Sequence, residues 1–126
     1  MADDTARPAP PANAIGHVDI PAADFGRACA FYADVFGWRI RTMPDFPGFA
    51  LFDDGGVGGA VNARTDGSPP GVRPYVTVTD IDATLAAVVA HGGAVLQPRT
   101  EIGGGNGFVA RFRDSEGNCV GLWSQG

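Results

Sequence analysis

The sequence predicts an α+β fold in which one β-α-β-β-β unit is used twice. Two observations carry this. First, "HVDIPAADFGRACAFYADVFGWRI", from His17, and "YVTVTDIDATLAAVVAHGGAVL", from Tyr75, share a plan: an alternating strand, an acidic turn, then a helix. The strand starts and the turns at Asp24 and Asp82 are both 58 residues apart. Second, three short apolar stretches follow each helix, divided by Gly- and Pro-rich joints. A chain of 126 residues buries one ordinary core, so the repeat lies inside a single domain, residues 14–126.

Residues 1–13 are polar and rich in Pro and Ala, which predicts a disordered tail. An acidic pair stands where a signal peptide would carry positive charge, and no apolar segment follows. The first module spans 14–63. In its opening strand Val18 and Ile20 face one way, His17 and Asp19 the other. Asp24 caps the helix, whose stripe of Phe25, Ala28, Cys29, Tyr32, Val35 and Phe36 is expected to be core, and Gly37 ends it. "WRIRTM", "GFALF" and "VGGAVN" follow as strands, and residues 64–71 form the linker.

The second module spans 72–124. Val76 and Val78 alternate with Tyr75, Thr77 and Thr79, which are expected inside. Asp82 caps the helix, Ile81 staples its start, and Leu85, Val88 and Val89 form the buried stripe. His91 sits in the last turn, where an imidazole suits the helix dipole, before Gly92-Gly93. The strands are "AVLQPRTEI", "GFVARF" and "CVGLW". "GGGNG" lacks both the Lys-Ser/Thr and the following helix of a phosphate loop, so it reads as a hairpin tip.

Composition narrows the function. A formal net charge of -5 with no run of Lys or Arg excludes a phosphate-backbone partner, and no apolar run is long enough to span a membrane. Cys29 and Cys119 form no CxxC and read as reduced thiols of a cytoplasmic protein.

Taken with the repeat, "AFYADVFGW" after the first strand and "RDSEGNCVGL" before the last resemble the vicinal oxygen chelate superfamily of glyoxalase I, extradiol dioxygenases and bleomycin-resistance proteins. The resemblance covers about residues 14–124 and is strongest to small bacterial proteins related to lactoylglutathione lyase. It implies a curved eight-stranded mixed sheet around a cavity, with helices outside, and a homodimer. It also implies four metal-ligand positions. His17 fills the first, while the matching position in the second module is Tyr75. The last-strand glutamate falls at Gly121, and its counterpart is Gly58, Gly59 or Ala60. One imidazole cannot hold a divalent cation, so no cofactor is expected, with Ni, Zn, Fe or Mn as the alternative.

The expected function is metal-independent binding of an apolar or aromatic small molecule. The expected ligand site is His17, Asp19, Phe49, Tyr75, Thr77, Cys119, Gly121 and Trp123, with Trp38 as a further stacking surface. The alternative is a glyoxalase- or dioxygenase-like enzyme, metal-dependent through unconventional ligands or metal-free with His17 as base and Tyr75 or Cys119 helping. Arg111, which interrupts "FVARF", is expected to face solvent.

Overall fold

A computed structural model describes residues 10–64 and 71–126, so residues 1–9 of the tail and 65–70 of the linker lie outside it. The chain is α+β, with β-α-β-β-β repeated. The elements are β1 (Ile15–Ala22), α1 (Phe25–Phe36), β2 (Arg39–Thr42), β3 (Phe49–Asp53), β4 (Gly59–Ala63), β5 (Arg73–Thr77), α2 (Ile81–Ala90), β6 (Ala94–Glu101), β7 (Phe108–Arg113) and β8 (Cys119–Ser124). Parallel and antiparallel strand pairs both occur. No helix among the described residues is long and apolar enough to cross a membrane.

Two compact units divide the chain: Gly16–Tyr75, and Val76–Gly126 with the stretch up to Ile15. In the first, strands run in the order β2-β3-β4-β1, antiparallel except for the parallel β1/β4 pair. In the second the order is β8-β7-β6, and β5 is divided between the two units at Tyr75 and Val76. Strand β6 comes last there, and its register with β7 breaks between Val95 and Gln97 and again between Gln97 and Thr100, around Pro98. Asn13, at φ 67, donates its N–H to Thr77 O at 2.6 Å. Backbone order therefore begins upstream of residue 14.

Each unit has its own core, as strand alternation requires. In the first, Ala22, Phe52 and Val61 are buried, with Val18, Ile20, Phe25, Ala28, Cys29, Tyr32, Trp38 and Ile40 packed against them. In the second, Val78, Ile81, Leu85, Ala110 and Leu122 are buried beneath Val76, Phe108 and Phe112.

Helix α1 starts at Asp24, whose carboxylate accepts from Arg27 N at 3.0 Å, and ends at Gly37, φ 71. Only four of the six residues assigned to its core stripe pack inward. Val35 and Phe36 are 55% and 60% exposed, and Phe31 is 54% exposed. Val35 lies on the outer side of the helix, and Phe36 reaches inward only far enough to stack on Trp38, with centroids 5.6 Å apart. Trp38 itself stacks between Tyr32 at 5.0 Å and Phe52 at 4.5 Å. It is a core residue, not a ligand platform.

Helix α2 corrects the sequence reading of its cap. Asp80, not Asp82, accepts from Ala83 N at 3.0 Å. A capping side chain serves the N–H three residues ahead, and Asp82 is already inside the first turn. Ile81 is the first helical residue, 1% exposed, rather than a staple outside the helix. Val89 is exposed as well. His91 is the C-cap, with Nδ1 bonded to Ala87 O at 2.8 Å, which ties its imidazole to the helix end. Asp80→Ala should cost about 1 kcal/mol in chemical denaturation, and Asp82→Ala a few tenths. Equal losses would mean that the two aspartates share the cap.

Candidate functional site

The capping residues Asp24 and Asp80 are 80 − 24 = 56 residues apart, not 58, and this changes the alignment of the modules. Fifty-six residues after His17 comes Arg73, and 56 after Asp19 comes Tyr75. The strand registers fix a second pair of counterparts. Val61 stands opposite Ala50 and Leu122 opposite Ala110, and all four are buried. Ala60 and Gly121, one residue earlier on β4 and β8, are therefore equivalent. The four positions at which the resemblance places ligands are His17, Ala60, Arg73 and Gly121. Sequence reasoning missed Arg73 because it took Asp82 for the cap. The parallel between Asp24-Phe25 and Asp80-Ile81 was the available signal.

In the Gly16–Tyr75 unit three predicted residues come together. His17 Nε2 lies 2.7 Å from Asp19 Oδ1. The His17 side chain is 31% exposed, while that of Asp19 is 10% exposed. The Tyr75 ring, 6% exposed, stands edge-on to the imidazole with centroids 5.3 Å apart and planes at 88°. With Asp19 ionised and His17 neutral, the bond puts the imidazole proton on Nε2 and the lone pair on Nδ1.

The ladder extends this face. Leu51 pairs with Ala60 and Ala60 with Asp19, so the three share one side of the sheet. Phe49 pairs with Asn62, one rung along on the same side, and is half-buried. The Oδ1 atom of Asn62 is buried without a hydrogen-bond partner. The other side of the sheet carries Val18, Ile20 and Val61 into the core.

Glycines 58 and 59 have a backbone reason to be there. Gly58 adopts φ 74, and a Cβ on Gly59 would lie inside the contact shell of the Val18 carbonyl oxygen on paired β1.

In the other unit, Cys119, Gly121 and Trp123 alternate along β8, opposite Arg113, Arg111 and Val109 respectively. Arg111 is half-buried rather than solvent-facing, and its partner across the ladder is Gly121. Trp123 Nε1 donates to Asn106 O at 2.9 Å, which ties the indole to the "GGGNG" tip. Thr77 is engaged through its backbone with Asn13 and Ala14, while Thr79 is exposed rather than inside. Cys119 is half-buried. Burial pushes the Cys29 thiol up, toward the unreactive protonated form.

Both modules use one turn device. Asp54 Oδ1 accepts from Gly56 N and Gly58 N, and Asp114 Oδ1 accepts from Glu116 N and Asn118 N at 2.8 Å. Those bonds, led by Asn118, hold the Asp114 carboxyl below its usual value. A lowered folded value means stability present above the unfolded value and lost as pH falls through the folded one. Amide protection at Glu116 and Asn118 should persist from neutrality to about pH 4 and fade below it. Fading near neutrality would contradict this account of the turn.

Among the described residues no group of three or more His, Cys, Asp or Glu could hold a metal ion. The donor set explains why: Ala60 and Gly121 offer no donor, and the guanidinium of Arg73 is a fixed cation that repels a divalent ion. The residues present do not fit the metal that the resemblance implies.

Comparison with known proteins agrees with this architecture. CFP32 of Mycobacterium bovis, whose name places it only provisionally among the glyoxylases, is 32% identical over 114 residues, 84% of this chain and 43% of CFP32. The chain thus spans less than half the length of that relative. Methylmalonyl-CoA epimerase from Mycobacterium tuberculosis superposes with TM-score 0.65 at 22% identity, over 87% of this chain and 86% of the epimerase. The Mn(II)-bound glyoxalase from Novosphingobium aromaticivorans gives 0.66 at 24%, over 90% and 39%. The sequence profile of the Glyoxalase/Bleomycin resistance protein/Dioxygenase superfamily matches residues 14–122, and with the paired modules on which that match falls, this chain belongs to that superfamily.

Proposed function

We propose that the chain binds a small organic molecule without a resident metal, using the face that carries His17, Asp19 and Tyr75. The observation that carries this is the donor set: alanine, arginine and glycine at three of the four ligand positions. Leu51 and Phe49, both half-buried, offer apolar surface to a flat body, and Arg73 adds positive charge, which favours a guest with an acidic group. The test pairs elemental analysis, after incubation with Ni, Zn, Fe(II) or Mn and desalting, with a thermal-shift screen of aromatic and acidic metabolites. The expected result is substoichiometric metal and stabilisation of about 2.7 kcal/mol at a hundredfold excess over Kd. Stoichiometric metal, or no stabilisation by any compound, would overturn the reading.

A second reading has its own observation, the 2.7 Å bond from His17 to nearly buried Asp19. An imidazole oriented in this way is a general base at Nδ1, suited to taking a proton next to a carbonyl. Turnover of a hemithioacetal without added metal, abolished in His17→Ala and reduced in Asp19→Asn, would favour catalysis. Turnover indifferent to both would remove the dyad from it.

A further inference from the structure

On the face that carries His17 and Asp19, one polar atom is buried with nothing to bond. It is the side-chain oxygen of Asn62, on β4. Its surroundings explain this. Across the ladder stand Pro21 on β1 and Phe49 on β3, and two residues before it on the strand is Ala60. None of the three has a side-chain donor. Arg64, two residues on, does not bond the oxygen either. A buried carbonyl oxygen left in this state costs the folded chain free energy, and an apolar residue of similar size would remove that cost. For stability alone, Asn62 is a poor choice.

We infer that Asn62 is a specificity-determining residue, and that it selects a guest carrying an N–H donor on its aromatic body. This rests on the binding function proposed above and names the class of guest: an aromatic acid bearing an amino or amide N–H. A carbonyl oxygen only accepts, so the partner it lacks must donate. A hydroxyl would bring lone pairs of its own against Leu51 and Phe49, which cannot satisfy them. The lone pair of an arylamine is spread into its ring, so that group brings donors with little need of a donor in return. Asn62 and Phe49 are both half-buried, so the oxygen lies just beneath the surface. A rotamer change in one of these two side chains uncovers it, without movement of β4.

Matched ligands test the donor. Isothermal titration calorimetry of the full chain compares benzoate, the ortho, meta and para aminobenzoates, and their dimethylamino counterparts, which lack the N–H. Wild type should bind at least one aminobenzoate about tenfold more tightly than both benzoate and its dimethylamino counterpart, as one hydrogen bond to a buried acceptor allows. In Asn62→Leu that preference should vanish while benzoate affinity is unchanged. The melting temperature of this variant should be no lower than that of wild type, because the oxygen has no bond to lose. Asn62→Asp keeps an acceptor in place and should keep the preference, although its charge weakens the binding of every acid. Binding of none of these acids by wild type would overturn the proposed function and this inference together. With benzoate bound, three results would overturn the inference alone: equal affinity for amino and dimethylamino acids, a preference that survives Asn62→Leu, or a marked loss of stability in that variant.

Discussion

Gly59→Ala should destabilise the protein by about 3 kcal/mol or more, the upper end for overpacking, because the added methyl has nowhere to go. It would meet the Val18 carbonyl on β1 and the Phe52 ring from β3 at once. The carbonyl is the harder obstacle, since backbone held in a parallel ladder moves only if the ladder opens. Val18 pairs with Gly59 and Asp19 with Ala60, so the strand that must retreat is the one that carries His17 and Asp19. Chemical denaturation and the His17 ring resonances should change together. A Gly59→Ala protein with wild-type stability would show that β1 and β4 are not packed as described.

Leu122→Ala should cost about 2–5 kcal/mol by cavity formation. Leu122 is 1% exposed and belongs to the core that docks α2 through Ile81 and Leu85. Its cross-strand neighbour is Ala110, itself fully buried, whose single methyl cannot fill the space. Leu122→Met should cost well under half as much, because volume is largely kept. Equal losses for the two variants would mean that shape, not volume, decides the site.

Much of the fold was legible because hydrophobic period and turn chemistry are local properties. The strand-helix openings, the glycine that ends α1 and the Asp-x-x-Gly-Asn turn could each be read within a few residues. Errors arose where two local readings were chemically equivalent. Asp80 and Asp82 can both cap, and only the hydrogen bond to Ala83 tells them apart. Val35 and Phe36 fit the apolar stripe of α1, but a sequence cannot show where the sheet beneath the helix ends. The site was less legible still. His17 and Asp19 could be placed on one face by alternation, yet the bond between them and the edge-on Tyr75 depend on side-chain rotamers. Arg73 became visible as a ligand-position residue only once the cap had shifted the repeat by two.

The irregular course of β6 bears on how the protein behaves in a crowded solution. A terminal strand normally offers a row of unused peptide groups on which a neighbouring polypeptide can extend the sheet, and repeated addition leads to aggregates. Here Pro98 removes one donor, the two register breaks bend the row away from straightness, and Arg99 and Glu101 place charges along it. Val95 and Leu96, exposed at the start of the same strand, would otherwise be the most adhesive stretch of that border. What looks like a poorly formed strand is a guard against amyloid-like growth, and straightening it should shorten the time for which concentrated protein stays clear.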